Sequence, residues 1–208
     1  MKLGVLLLAA TLLVACKSLP EKPVRQTMYD FGPTPVAEGS PPANRVPLVL
    51  PDVRAEGLLE TSALLYRLAY EDPHELRPYA FARWTAEPGV LLHRRLQEML
   101  GRDRMVLDTA ASASLTRRGA APPPTLRLDL EEFSHVFDSP RESRGMLRLR
   151  ATLVQREGGE LRVVAQRSFQ VQRPAPTPDA PGGVRALTAA VETAAQDIAA
   201  WLRQPGSP

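Results

Sequence analysis

The chain predicts an α+β fold, a largely antiparallel sheet with two amphipathic helices packed on one face. Three observations carry that expectation. Segments between Leu126 and Val171 alternate apolar and polar residues with the period of a strand. Two other segments, Glu87–Gly101 and Val184–Leu202, carry apolar stripes at helical spacing. Finally, the elements come in the order strands, helix, strands, helix, which suits helices gathered on one side of a sheet.

The N-terminus is a separate unit. Met1-Lys2 is followed by an apolar run to Val14, broken only by Gly4 and Thr11. That run is shorter than the roughly 18–20 residues needed to span a bilayer. A positive start, a short apolar stretch and a small residue before a cleavage point describe a secretory signal peptide. The run ends in "LVAC", Leu13 to Cys16, which resembles a bacterial lipobox. Cys16 is the one cysteine of the chain. Its thiol is the expected site of a diacylglyceryl group, with cleavage before it after residues 1–15. Lys17 stands where an aspartate would signal retention in the inner membrane of enteric bacteria, so the outer membrane is expected, with the body on its periplasmic side. With no second cysteine, a disulfide within one chain is excluded, and the domain must be stabilised by its core.

Residues 16–45 read as a lipidated tether, rich in proline, glycine and polar residues ("SLPEKPVRQ", "GPTPVAEGSPPAN"). The apolar cluster "MYDFG", Met28 to Gly32, is either incidental or a short strand docking on the domain. The alternation of Tyr29 and Phe31 favours docking. The domain itself is expected over 46–204, with a flexible tail at 205–208. Its apolar fraction of 44% suffices for a core, and the net charge is only +3. Arginine supplies 23 of the 26 basic residues, but these are scattered among 23 acidic ones. No basic block marks a nucleic-acid arm.

Element by element, "VPLVLPDV" from Val46 reads as an edge strand between prolines. "LLYRLAY" and "ELRPYAFARW" flank the turn-like "EDPH" and read as a hairpin. The helix Glu87–Gly101 starts at Pro88 and shows Leu92, Leu96, Met99 and Leu100 on one face. "RMVLDT" follows as a short strand, and Ala110–Pro124 as a small-residue, proline-ended loop. Leu126, Leu128 and Leu130 then alternate with charged residues, with a bulge expected near Glu131-Glu132. Leu147, Leu149, Ala151 and Leu153 define the next inward set, and Leu161, Val163, Ala165, Phe169 and Val171 the last. "REGGE" joins these two strands as a tight hairpin turn. Leu187, Val191, Ala194, Ala195, Ile198 and Trp201 form the stripe of the final helix.

Chemistry is harder to find. His74, His93 and His135 belong to no metal-binding spacing, and no nucleophile elbow, phosphate loop or dinucleotide fingerprint occurs. No metal or other cofactor is expected beyond the lipid on Cys16, and the chain is not expected to be an enzyme. The densest feature is Tyr66–Trp84, which holds five of the eleven aromatics with arginines interleaved. Such residues are either core and cross-strand pairs or a binding surface, since tyrosine, tryptophan and arginine are enriched at interfaces. Tyr66, Arg67, Tyr70, Tyr79, Arg83 and Trp84 are the candidate partner-binding residues. The arginine face of Arg127, Arg148, Arg150 and Arg162 reads as solvated and neutralised by Asp129 and Glu131, rather than as an anionic-lipid site.

With this layout, the chain resembles the ABC-type transport auxiliary lipoproteins, the PqiC/YmbA-like group. The resemblance rests on residues Leu59–Leu100, including Arg83-Trp84, on "LRLDLEEFSHVFDSP" and "ATLVQREGGELRVVAQRSF", and on the lipobox and "YDFG". It implies a non-enzymatic, membrane-anchored part of an envelope lipid-transport system. The implied partners are an MCE-domain protein bridging the periplasm, its ABC permease and ATPase complex, and outer-membrane lipid. A homo-oligomer stays open. Two alternatives also stay open: a lipid carrier holding phospholipid between the apolar sheet face and the helices, and an envelope hydrolase.

Overall fold

The computed structural model describes residues 25–33 and 45–204. The expected signal peptide, Cys16, most of the expected tether and the last four residues lie outside the described residues. Eight strands form one mixed sheet: β1 (Thr27–Tyr29), β2 (Leu48–Val49), β3 (Ala63–Leu68), β4 (Arg77–Trp84), β5 (Val106–Leu107), β6 (Thr125–Phe137), β7 (Ser143–Glu157) and β8 (Glu160–Pro174). Three α-helices accompany them: α1 (Pro88–Leu100), α2 (Thr109–Arg117) and α3 (Ala180–Trp201).

The long meander β6–β7–β8 is antiparallel, as the alternation requires. Its β7–β8 turn uses Gly158 and Gly159, both at positive φ (59° and 94°), the conformation a two-residue hairpin turn needs and glycine adopts without strain. The expected bulge is present: the β6–β7 register slips between Leu130 and Glu132. Outside the meander only the β3–β4 hairpin is antiparallel. β1 runs parallel to β4, β2 to β5 and β6, and β3 to β6. The expected antiparallel character therefore holds for the meander and the β3–β4 hairpin only. The parallel contacts join segments far apart in sequence, which hairpin signals cannot report.

The core lies between the inner sheet face and α3. Leu126, Leu128 and Leu130 meet Leu147, Leu149, Ala151 and Leu153. The α3 stripe of Leu187, Ala190, Val191, Ala194 and Ile198 closes over them, each fully buried. Side chains fill this layer, where the lipid-carrier alternative would have placed a ligand. Small residues let sheet and helix approach closely: a Cβ on Gly145 would lie 2.6 Å from the backbone nitrogen of Leu187. α1 adds Leu92, Leu96 and Leu100 to the same core.

Two expectations need correction. The stretch read as a loop at Ala110–Pro124 contains α2. Alanine is the strongest helix former, and Asp108 caps the helix by accepting from the Ala111 amide at 2.6 Å. Among the described residues the α-helices consequently number three, and α2 lies against the opposite sheet face from α3. The second correction concerns β8, where Phe169 and Val171 are buried but Leu161 and Val163 are 53% and 61% exposed. The β7–β8 register slips between Leu153 and Val154, which reverses the facing of residues before Val164.

Residues 27–33 are part of this body. β1 pairs with β4 along Thr27–Tyr29, and Phe31 is buried edge-on against Trp84 and Phe133, with ring centroids 5.4 and 5.9 Å away. Arg95 of α1, itself 5% exposed, donates to the carbonyls of Phe31 and Gly32 at 2.7 Å each and to Glu192 of α3 at 3.0 Å. The docked reading of "MYDFG" is the one the fold adopts.

Candidate functional site

The β3–β4 hairpin carries the residues singled out in the sequence, and the structure divides them. Trp84 is fully buried. It packs on Phe31 and Phe133 and belongs to the core, so it is withdrawn as a partner-binding residue. Tyr66 and Tyr79 are half-buried and pack with their rings tilted by 46° and centroids 4.7 Å apart. Arg67 is half-buried and engaged within the chain, donating to the Pro73 carbonyl at 2.7 Å and lying 3.6 Å from Glu132. Tyr70 falls past the end of β3, in the turn, and is exposed. Arg83 is partly exposed in β4, opposite Met28 of β1.

Beneath the hairpin sits His135, fully buried. Its Nδ1 shares a 2.8 Å hydrogen bond with the Tyr79 hydroxyl. Its ring packs against Phe137 at 4.4 Å and against the backbone of Gly183, where a Cβ would approach Nδ1 to 2.4 Å. Nε2 has no partner among the described residues. Burial pushes the imidazole down to about 4, against a weaker upward pull from the Asp179 carboxylate. Burial likewise holds the Tyr79 hydroxyl proton well above its ordinary range. Both groups stay neutral at pH 7 and are engaged with each other, an arrangement that rigidifies the hairpin against α3. Among the described residues no group of three or more metal-ligating side chains occurs.

The outward residues of this region include two the sequence reading passed over, Met28 (51% exposed) and Phe81 (55%). The β1–β4 register puts Met28 opposite Arg83, two residues from Phe81, so all three share the outer face. Among the described residues β1 pairs on one side only, at the edge of the sheet. Apolar side chains beside an arginine on an open edge suit a protein interface. The signal was present in the alternation of "MYDFG" and "YAFARW", but which face pointed inward depended on Trp84 packing. The arginine face is neutralised in part, Glu131 pairing with Arg148 at 3.0 Å and also with Arg150; Arg162, expected on this face, is turned to the other one by the β8 register slip and pairs there with Glu157 at 3.3 Å.

Comparison with solved structures gives the same fold. The protein XCC0632 from Xanthomonas campestris superposes with a TM-score of 0.65 at 19% identity, over 84% of this chain and 93% of that one. A second structure, of an uncharacterized protein, gives 0.64 at 13% identity, over 86% and 99%. No curated protein matches the chain. A family model described as the ABC-type transport auxiliary lipoprotein component matches residues 29–199. That match begins inside the docked "YDFG" segment and ends in α3, spanning every element from β2 to β8, and on this evidence the chain belongs to the ABC-type transport auxiliary lipoprotein family.

Proposed function

We propose that this auxiliary lipoprotein is anchored through a lipid on Cys16 in the outer membrane and binds the periplasm-spanning MCE-domain component of an ABC permease and ATPase complex. Its role is binding, not catalysis. One observation supports this reading above others: the anchor segment is built into the sheet, directly beside the exposed Met28, Phe81 and Arg83. Ten residues separate Cys16 from Thr27, a reach of at most about 40 Å. The open edge is therefore kept near the membrane surface, where the far end of a periplasmic conduit would arrive. Tyr70 and Arg83, of the original candidates, remain placed to touch a partner.

Crosslinking in intact cells followed by affinity purification of the full chain tests this. MCE and permease components should be recovered, and a Phe81→Glu, Met28→Glu double variant should cut recovery about tenfold, as loss of a central apolar anchor does. Recovery of neither component would remove the proposed partner. Undiminished recovery by the variant would remove the proposed surface. The anchor has its own test. Cys16→Ser should leave the protein unprocessed or release it from the membrane fraction, and unchanged processing and fractionation would count against lipidation.

A further inference from the structure

A second feature lies far from the hairpin, beneath α2. The inner sheet face is covered by α3, but α2 and the Pro122-Pro123 turn hang over the outer face and enclose a groove of about 680 Å³. That volume is within the range of small-molecule sites. Its floor is apolar: Val49 and Val154 are 4% and 3% exposed, and Leu161 reaches in from the β8 end. Ala113 of α2 and Pro51 complete the walls. The register slip in β8 is what turns Leu161 and Val163 toward this side.

The charged residues lining the groove are Arg117, Arg127 and Arg156, and no carboxylate lines it. Arg156 spends one donor on the Gly159 carbonyl at 2.8 Å. Arg117 and Arg127 make no ion pair among the described residues, unlike Arg148 and Arg150 on the same face. An apolar floor ringed by uncompensated guanidinium groups matches an amphiphile with an acyl chain and an anionic phosphate head.

We infer that this groove binds the acyl chain and phosphate of an anionic phospholipid, with Arg117 and Arg127 on the headgroup. An acidic peptide fits less well. Of the strands lining the groove, β2, β6 and β7 are each paired on both sides, and β8, which contributes Leu161, is unpaired only on the side away from β7, so the groove floor offers side chains but no free backbone edge for a peptide to hydrogen-bond. The inference does not depend on the MCE partner, because it concerns a different face.

The full-length lipoprotein, reconstituted in phosphatidylcholine vesicles, is photolabelled with diazirine-bearing phosphatidylglycerol or diazirine-bearing phosphatidylcholine. Label from the anionic lipid should concentrate on peptides covering residues 109–117 and 154–163. Arg117→Gln with Arg127→Gln should reduce it about tenfold, as loss of charge-assisted hydrogen bonds predicts. Ala113→Trp, which fills the groove, should abolish it. Both arginines are exposed, so the double variant should melt like the wild type and decides the matter even if Ala113→Trp unfolds. An unlabelled groove, equal labelling by the two lipids, or displacement of the label by an acidic peptide would each overturn the assignment.

Discussion

Replacing Arg95 with methionine is expected to destabilise the protein by about 3 kcal/mol and to free residues 27–33 from the body. The side chain has two kinds of partner, and their burial decides which matters. Glu192 is half-exposed, and exposed ion pairs contribute 1 kcal/mol or less. The carbonyls of Phe31 and Gly32 lie at the buried end of the guanidinium, and each left without a donor costs about 1–3 kcal/mol. Phe31 is also at risk. Its transfer from the Trp84–Phe133 pocket to water would forfeit up to about 3 kcal/mol. Chemical denaturation measures the loss, and hydrogen exchange at the Thr27–Phe31 amides locates it. Glu192→Ala should cost about 1 kcal/mol or less by the same reasoning. If the two variants lose equally, or the β1 amides stay protected in Arg95→Met, the clamp is misassigned. The functional stake is reach. Undocked, the chain from Cys16 to Leu48 can extend about 110 Å rather than about 40 Å, and under the proposed anchoring at Cys16 the body would reach correspondingly further from the membrane.

Acidification gives the second large effect. The imidazole of His135 is pushed down to about 4 by burial, against about 6.5 in an unfolded chain. Between those values the unfolded state binds the extra proton, so stability is intact above pH 6.5 and falls as pH drops toward 4. The loss between pH 7 and pH 4.5 is about 2–3 kcal/mol. Two groups face the ring: the Tyr79 hydroxyl, neutral throughout this window, and Asp179 at the N-cap of α3. Asp179 is held below its ordinary value by the Thr177 hydroxyl and the Gly182 amide, so it stays charged until more acidic pH. His135→Gln, neutral at every pH, should flatten the dependence while lowering stability at pH 7 through loss of the ring contacts. Urea titrations at the two pH values read both. An unchanged slope in the variant would mean that other groups carry the acid sensitivity.

Much of the fold was legible in residue order alone. The meander, its Gly158-Gly159 turn, the bulge at Glu131 and the stripes of α1 and α3 are local periodicities, and local periodicity survives into the structure when one face is buried. α2 was missed because its alanines and serines carry no apolar stripe, and its decisive signal is a single capping aspartate. The candidate site was half legible. Aromatic density pointed to the β3–β4 hairpin, but composition cannot separate Trp84, at the centre of the core, from Phe81, three residues away and exposed.

What the sequence by itself determined is the organisation: a lipobox-like motif, a proline-rich segment and an α+β body, each written in composition or short-range pattern. What only the tertiary structure decided is which faces are used. The parallel pairing of β1 with β4, the Arg95 clamp on Phe31 and Gly32, the burial of His135 under Gly183 and the groove under α2 all join residues distant in the chain. No local pattern encodes such contacts, because each depends on how the sheet closes around one core.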